Sequence, residues 1–509
     1  MAQDTPQALT SDSSSAQLAS QGIDPANPFK LSASLYNKDL APTTREGRTW
    51  NAYSIFTLWA NDVHSLGNYA FAIGLFALGM SGFQILGALG IGALLLFALL
   101  TLSGFMGEKT GVPFPVMSRI AFGINGAQIP ALIRGAVAIA WFGIQTYLAS
   151  QVLSVMVIAV APGAASLQDS SFLGLNILGW ICFVILWVIQ LVIVSYGMEM
   201  IRKYEAFAGP IILLTFLSLA VWMLFESGFT VAMHTGEPKS GVEMWTGMLG
   251  AASLWVAIYG TFVLNFCDFT RSARSKKAIV KGNFFGIPIN MLFFGAIVVV
   301  LSGTQFAING TVITSPSDVV SAIPNTALLL LASGALLVLT IAVNLMANFV
   351  APTFALTNLF PKHLNFRKAA LISGVIGLII LPWNLYNSPE IINYFLGGLG
   401  ALLGPLFGII MADYWLIRRA RVNVIDLYRT EPDGTYYFTR GFNPRAVIAL
   451  VISAAIALML AFVPALHVVS EFAWFLGSGS GAIAYLLLAK RQHDLADIDG
   501  EPIAVKPTH

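Results

Sequence analysis

Apolar residues run along this chain in blocks separated by short polar stretches. Each block is near the roughly 20 residues that an α-helix needs to cross a bilayer. The blocks lie at approximately 53–80, 83–106, 127–160, 173–196, 204–226, 246–266, 284–303, 325–350, 369–385, 391–416, 446–466 and 469–489. The pattern predicts an all-α polytopic membrane protein with twelve spanning helices. Pro382 and Asn384 interrupt the ninth and tenth blocks, and a turn near His467–Ser470 joins the last two.

Basic residues orient these spans, because Lys and Arg gather in cytoplasmic loops. Lys30, Lys38, Arg45 and Arg48 precede span 1; Lys109, Arg119 and Arg134 follow span 2. Arg202 and Lys203 follow span 4, Arg271 to Lys281 follow span 6, and Lys362, Arg367 and Lys368 follow span 8. Arg418 to Arg445 follow span 10, and Lys490, Arg491 and Lys506 follow span 12. In a twelve-helix arrangement all of these share one side, and only Lys239 lies opposite. The alternation predicts a multi-pass protein of the cell (inner) membrane with both termini in the cytoplasm.

Composition agrees. The chain has 509 residues, 57% hydrophobic and 10% charged, with a mean hydropathy of +0.76, which excludes a soluble domain. The net charge of +2 carries little information beside its distribution. Cys182 and Cys267 lie in or beside apolar segments, with neither a disulfide framework nor metal-type spacing. No metal or cofactor is expected, and nothing points to nucleic acid. The expected organisation is a cytoplasmic N-terminal tail (1–50, its first 30 or so residues disordered), a first five-helix repeat (51–226), an inverted second repeat (246–419), two extra helices (446–489) and a cytoplasmic tail (490–509).

Several spans carry polar residues that lipid does not tolerate without a reason. Span 1 contains Asn61, Asp62, His64, Ser65 and Asn68 around Gly67, and Asp62 reads as the only carboxylate well inside any span. A charge at mid-bilayer costs from about 2.5 kcal/mol upward, so such groups face an interior and commonly serve function. The alternative is that Asp62 and His64 satisfy each other or unwound backbone. The run predicts a discontinuous helix lining a cavity. Span 6 places Tyr259 beside Gly260 near mid-membrane, where the glycine can release the helix. Asp268 reads as a cap or a partner of Arg271, and Asp413 with Arg418 as an interfacial charge cluster.

Span 3 carries Trp141 and Gln145, and span 8 carries Asn344 and Asn348. Each pair is four residues apart and shares a helix face. An indole offers a π-face and an amide offers donor and acceptor, which together suit a flat, hydrogen-bonding ligand. Packing would also place a Trp here, and helix–helix glue would also use the asparagines. Spans 1–5 and 6–10 each cover about 170 residues. An odd number of spans per unit makes the second unit inverted. Span 1 then corresponds to span 6, both broken, and span 3 to span 8, both with central amides. Paired interruptions of this kind point to a mid-membrane transport site.

The chain resembles the nucleobase–cation symporter-1 family of hydantoin, allantoin, cytosine and uracil permeases, from about Leu35 to Lys490. The carriers are RIAFGING at 119–126 with Pro130, WFGIQT at 141–146, CDFTR at 267–271, NLMANFVAP at 344–352 and LGPLFGIIMADYWLIRR at 403–419. The resemblance implies a LeuT-like fold, a 5+5 inverted repeat plus two C-terminal helices. It implies that Trp141 stacks on the planar substrate, that Gln145 bonds its imide or ureide edge, and that Asn348 is a second amide to it. The second stacking position of hydantoin-type members, nine residues before Asp268, is Tyr259 here, with Trp255 a turn away. The amide of their first helix falls on Ser65. Substrate-binding candidates are therefore Trp141, Gln145, Tyr259, Gly260, Asn348, Asn344 and Ser65.

Sodium-coupled relatives use two hydroxyls on the eighth helix, and those positions are Ala342 and Val343 here. Sodium is a hard cation that prefers oxygen ligands, the logic that holds for Ca²⁺ and Mg²⁺. The expected coupling ion is H⁺ rather than Na⁺, with Asp62, His64 and Asn61 as candidate coupling residues. The leading expectation is secondary active import of a nucleobase or related planar heterocycle. A sodium-coupled symporter of the same substrates, a passive facilitator or channel, and a transporter of amino acids or betaines are the alternatives. An intramembrane enzyme is disfavoured: Asp62 and His64, two residues apart, would point about 200° apart on a helix.

Overall fold

The computed structural model describes residues 28–237, 239–311, 325–386, 389–490 and 495–506. Every apolar block of the sequence is a helix or a pair of helices, and among the described residues nine helices are long and apolar enough to cross a membrane. Span 1 is broken, into α1 (Ala52–Asp62) and α2 (Leu66–Ala77). Spans 2 to 5 are α3 (Gly82–Thr110), α4 (Gln128–Val160), α5 (Ile177–Ser195) and α6 (Met198–Glu226). Span 6 is broken too, into α7 (Gly241–Ile258) and α8 (Gly260–Asn265).

The second half continues with α9 (Lys276–Asn309) and α10 (Thr326–Leu359). Span 9 is α11 (Phe366–Ile379), followed by a short turn of helix at Pro382–Tyr386, and α12 (Pro389–Met411) continues through Ile417. The last two spans are α13 (Pro444–Phe462) and α14 (Ala473–Leu488), packed on each other and on α12.

Both breaks have local causes. Ser65 is extended (φ −62°, ψ 149°), and its hydroxyl caps α2 by accepting from the Asn68 N–H. The carbonyls that α1 leaves open at its end are taken by Asn68, whose Nδ2 donates to Asp62 O at 2.9 Å and Val63 O at 3.2 Å. At the other break Tyr259 leaves helical geometry (φ −82°, ψ 1°). The breaks meet: Asn68 Nδ2 also donates to Tyr259 Oη at 2.8 Å. α10 carries a π-helical turn at Asn344–Phe349, the wide-turn feature that recurs at functional sites.

The expected disordered start of the N-terminal tail lies almost wholly outside the described residues. Residues 1–27 and 507–509 lie outside the described residues. The described part of that tail, residues 28–50, packs on the helices: Leu35, Leu40 and Trp50 are buried. Thr43 N–H donates to Gly111 O, and Trp50 N–H to Ser272 O. The C-terminal segment returns over the same face, pairing Ile498 with Val422 and Val424, and Val505 with Pro42 and Thr44. Arg271 donates to Asp39 O, Ala41 O and Thr43 Oγ1 in this layer rather than pairing with Asp268. Within the charge cluster at the end of α12, Asp413 and Arg418 form a buried ion pair at 2.7 Å.

Candidate functional site

A cavity of about 660 Å³ lies between the two breaks, within the roughly 300–1,000 Å³ range of small-molecule sites. Its walls are mainly apolar, with Phe71, Val137, Ile258, Phe262 and Leu403 among them. A few polar groups converge on it: Asp62, Ser65 and Asn68 from the first break, Gln145 from α4, Tyr259 from the second break, and Asn348 from α10. Trp141 presents its indole from α4, one turn before Gln145.

The polar groups are not equally committed. Gln145 makes no side-chain hydrogen bond among the described residues, so its donor and acceptor both remain for a ligand. Asn348 donates from Nδ2 to Asn344 Oδ1 at 2.9 Å, which leaves its own Oδ1 as an acceptor. Ser65 is occupied as a cap. Tyr259 is buried, with its ring 5.4 Å from Trp255 and 6.2 Å from Trp59. Its hydroxyl accepts from Asn68 and neighbours the Asp62 carboxyl. Trp255 does not reach the cavity: it stacks on Phe71 and donates to Met291 Sδ.

Four sequence candidates stand off the cavity, each for a visible reason. Asn344 is fully buried behind Asn348, donating to Phe142 O, Thr146 Oγ1 and Gln190 Oε1 at 2.7–3.1 Å. It ties α10 to α4 and α5. Gly260 faces α14, where a Cβ would lie 2.5 Å from Trp474 Nε1. His64 is enclosed: Nδ1 pairs with Tyr69 Oη at 2.9 Å, Nε2 with Asn290 Oδ1 at 3.2 Å, and Phe216 stacks on the ring. Asn61 points away from the cavity, donating to Thr57 O and Glu205 O.

Towards the end of the molecule that carries most Lys and Arg, the helices below the cavity are tied together. Arg134 donates from Nε to Asn265 Oδ1 and from Nη2 to Ala347 O. Asn265 donates to Asp268 Oδ2, and Asp268 Oδ1 accepts from the Phe114 N–H. The opposite end of the cavity reaches Ala461, Glu471 and Trp474 of the last helix pair. Sequence reasoning missed Asn68 as a wall residue, Glu471 and Trp474. Asn68 had a signal, its place in the polar run of span 1. Nothing in the last pair's sequence marks it as facing a site built from spans 1, 3, 6 and 8.

A family model described as permease for cytosine/purines, uracil, thiamine and allantoin matches residues 42–483. The chain belongs to the nucleobase–cation symporter-1 family of permeases. It is 35% identical over 461 residues to the allantoin permease of Bacillus subtilis, covering 90% of this chain and 93% of that one. It is 35% identical over 420 residues to the purine-uracil permease NCS1 of Arabidopsis thaliana, covering 82% and 70%. Among solved structures, Mhp1 of the same family, closed with bromovinylhydantoin bound, superposes with a TM-score of 0.73 at 24% identity, covering 89% of this chain and 95% of that one. The permease thus has the LeuT-like fold of a transporter and is not an enzyme.

Proposed function

We propose that this permease imports a neutral planar heterocycle with an amide or ureide edge by alternating access, coupled to protons. Uracil, cytosine, allantoin, hydantoin and purines are the members of that class. The observation that carries the reading is the convergence of Trp141, Gln145 and Asn348 on one apolar-walled cavity between the two broken helices. The indole face stacks on the ring, the free Gln145 amide meets one N–H/C=O edge, and Asn348 Oδ1 accepts from another N–H. Leaving such groups unpaired discriminates strongly against rings that lack the edge. The B. subtilis relative's name supports allantoin as the first ring to try.

Proton coupling is supported by what surrounds the cavity. Ala342 and Val343 bring no side-chain oxygen to a sodium site, and the nearby Thr340 hydroxyl donates to Leu336 O in its own helix. Asp62 stands on the cavity wall at the first break. The basic residues then mark the cytoplasmic face of the cell membrane. The Arg134–Asn265–Asp268 tie closes the cytoplasmic path, and the cavity faces outward past Glu471. Tyr259, Ser65 and Asn68 shape the wall, whereas Asn344, Gly260 and His64 hold the helices.

The test is uptake of labelled allantoin, uracil and hydantoin into proteoliposomes under an inward pH gradient or an inward sodium gradient. Accumulation driven by the pH gradient is expected. Uptake that follows sodium and ignores pH would overturn the coupling, and uptake that never exceeds equilibration would make the protein a facilitator.

A further inference from the structure

A second carboxylate lies inside the spanning region, away from the cavity. Glu205 is on α6, seven residues from its start at Met198, or about 10 Å along the axis. It is 1% exposed, and neither of its carboxylate oxygens has a hydrogen-bond partner. It faces α1: Gly209, one turn further along α6, packs on Thr57 and Ala60. Beside it lies Asn61, whose Nδ2 is held by the carbonyls of Thr57 (2.7 Å) and Glu205 itself (2.9 Å). That orientation leaves Asn61 Oδ1 buried and without a donor.

Two partnerless carboxylate oxygens thus lie beside a partnerless Asn61 Oδ1, and the one donor next to them, Asn61 Nδ2, is already shared by two carbonyls. An ionised carboxylate in that position has little to compensate it for leaving water. One proton resolves the arrangement, because a neutral carboxyl gains an O–H that can be given to Asn61 Oδ1. A sodium ion would need further oxygens, and α10 offers Ala342 and Val343 on this side.

Among the described residues, the surroundings leave no other charge to compensate Glu205. α1 contributes Asp62 and, on the flank, Tyr53, whose hydroxyl donates to Ala206 O. α5 contains no charged side chain, and its Cys182 lies beside Ser154 near the far end of that helix. The Thr326–Val343 and Asn290–Asn309 stretches packed on α6 contain no ionisable side chain. Along α6 itself, Tyr204 donates to Val338 O, Arg202 pairs with Glu199, and Lys203 shares that end. His64 stacks on Phe216, three turns away. Asn61 and Asp62 are neighbours in the last turn of α1, so the same turn presents one polar group to Glu205 and one to the cavity.

We propose that Glu205 is the proton-binding group of the permease: it takes up a proton with the substrate and releases it on the other side of the membrane. The O–H bond forms at a Glu205 carboxylate oxygen with a proton from the outer solution. It breaks when the α1–α6 interface opens to the inner one. This rests on the proton-coupled reading above.

The experiment is substrate binding and gradient-driven uptake in proteoliposomes across pH, for wild type, Glu205→Gln and Glu205→Asp. Wild type is expected to bind more tightly as pH falls, because two ligands carried together assist each other's binding. Glu205→Gln, a mimic of the protonated form, is expected to bind with the wild-type low-pH affinity at every pH and to lose accumulation driven by the pH gradient. Glu205→Asp is expected to stay coupled with a shifted pH midpoint. Wild-type uptake that ignores the pH gradient would defeat proton coupling itself, and this proposal with it. Wild-type coupling with Glu205→Gln behaving as wild type would defeat the Glu205 assignment alone.

Wild type also provides a test that needs no variant. Dicyclohexylcarbodiimide attacks protonated carboxyls in apolar surroundings. Peptide mapping is expected to find Glu205 modified and uptake blocked, and an unmodified Glu205 at every pH would overturn the assignment.

Discussion

Asn344 holds Asn348: the Oδ1 of the first accepts from the Nδ2 of the second at 2.9 Å, and the Nδ2 of Asn344 is fixed by three acceptors on α4 and α5. One amide meets the cavity, and the other, one turn earlier on α10, decides how it is presented. Asn344 stays off the cavity wall because Phe142, Thr146 and Gln190 take up its amide between α4 and α5.

Removing Asn344 should therefore weaken ligand binding without removing a ligand contact. Asn344→Ala leaves the Gln190 carbonyl oxygen and the Asn348 amide unpaired in a buried site, at a cost of about 1–3 kcal/mol each. Binding calorimetry should show affinity lowered by about tenfold, with a lower Tm, since ~1.4 kcal/mol is a factor of ten. Unchanged affinity together with a lowered Tm would reduce Asn344 to helix glue alone.

His64 is expected to support the first break rather than carry protons. Both its nitrogens are engaged, by Tyr69 and Asn290, and rings enclose it. His64→Gln should lower stability by about 1–3 kcal/mol while gradient-driven uptake keeps its wild-type pH profile. A variant that folds and binds but no longer responds to the pH gradient would return His64 to the coupling pathway.

The ion pair of Asp413 and Arg418 should matter to the fold and not to the ligand. Arg418 Nε donates to Asp413 Oδ2 at 2.7 Å, and the Tyr485 hydroxyl of α14 donates to Asp413 Oδ1 at 2.7 Å. The pair joins the end of α12 to the last helix. Removing one partner of a buried pair costs about 3–5 kcal/mol, because the other charge stays buried. Arg418→Ala should lower the Tm in detergent, and any variant that stays folded should bind ligand as wild type does. A Tm equal to wild type would show that the pair is hydrated.

Much of the architecture was legible because lipid imposes strict rules. Apolar length located the spans, and polar residues that lipid rejects located both breaks, at Asn61–Asn68 and at Tyr259–Gly260. What hydropathy cannot resolve is which way a side chain points. His64 and Asp62 sit in one polar run, yet only Asp62 reaches the cavity. Glu205 escaped for a different reason. The apolar block begins at 204, so a carboxylate at 205 reads as a flank, but Gly197 starts the helix at Met198 and carries Glu205 inside. The packing of residues 28–50 and 495–506 on one another was illegible because short irregular pairings leave no periodic pattern.

Trp141, Gln145 and Asn348 are proposed to hold a planar ring. The most direct test is equilibrium binding of allantoin, uracil, cytosine, hydantoin and purines to the purified permease, with Trp141→Ala and Gln145→Ala measured beside wild type. At least one ring should bind wild type, with Gln145→Ala weakening it by about 10–100-fold, as expected for about 1.5–3 kcal/mol of lost hydrogen bonding and ring contact. Trp141→Ala should weaken the same ring to a similar degree. A ring that binds both variants as tightly as wild type would place the site elsewhere.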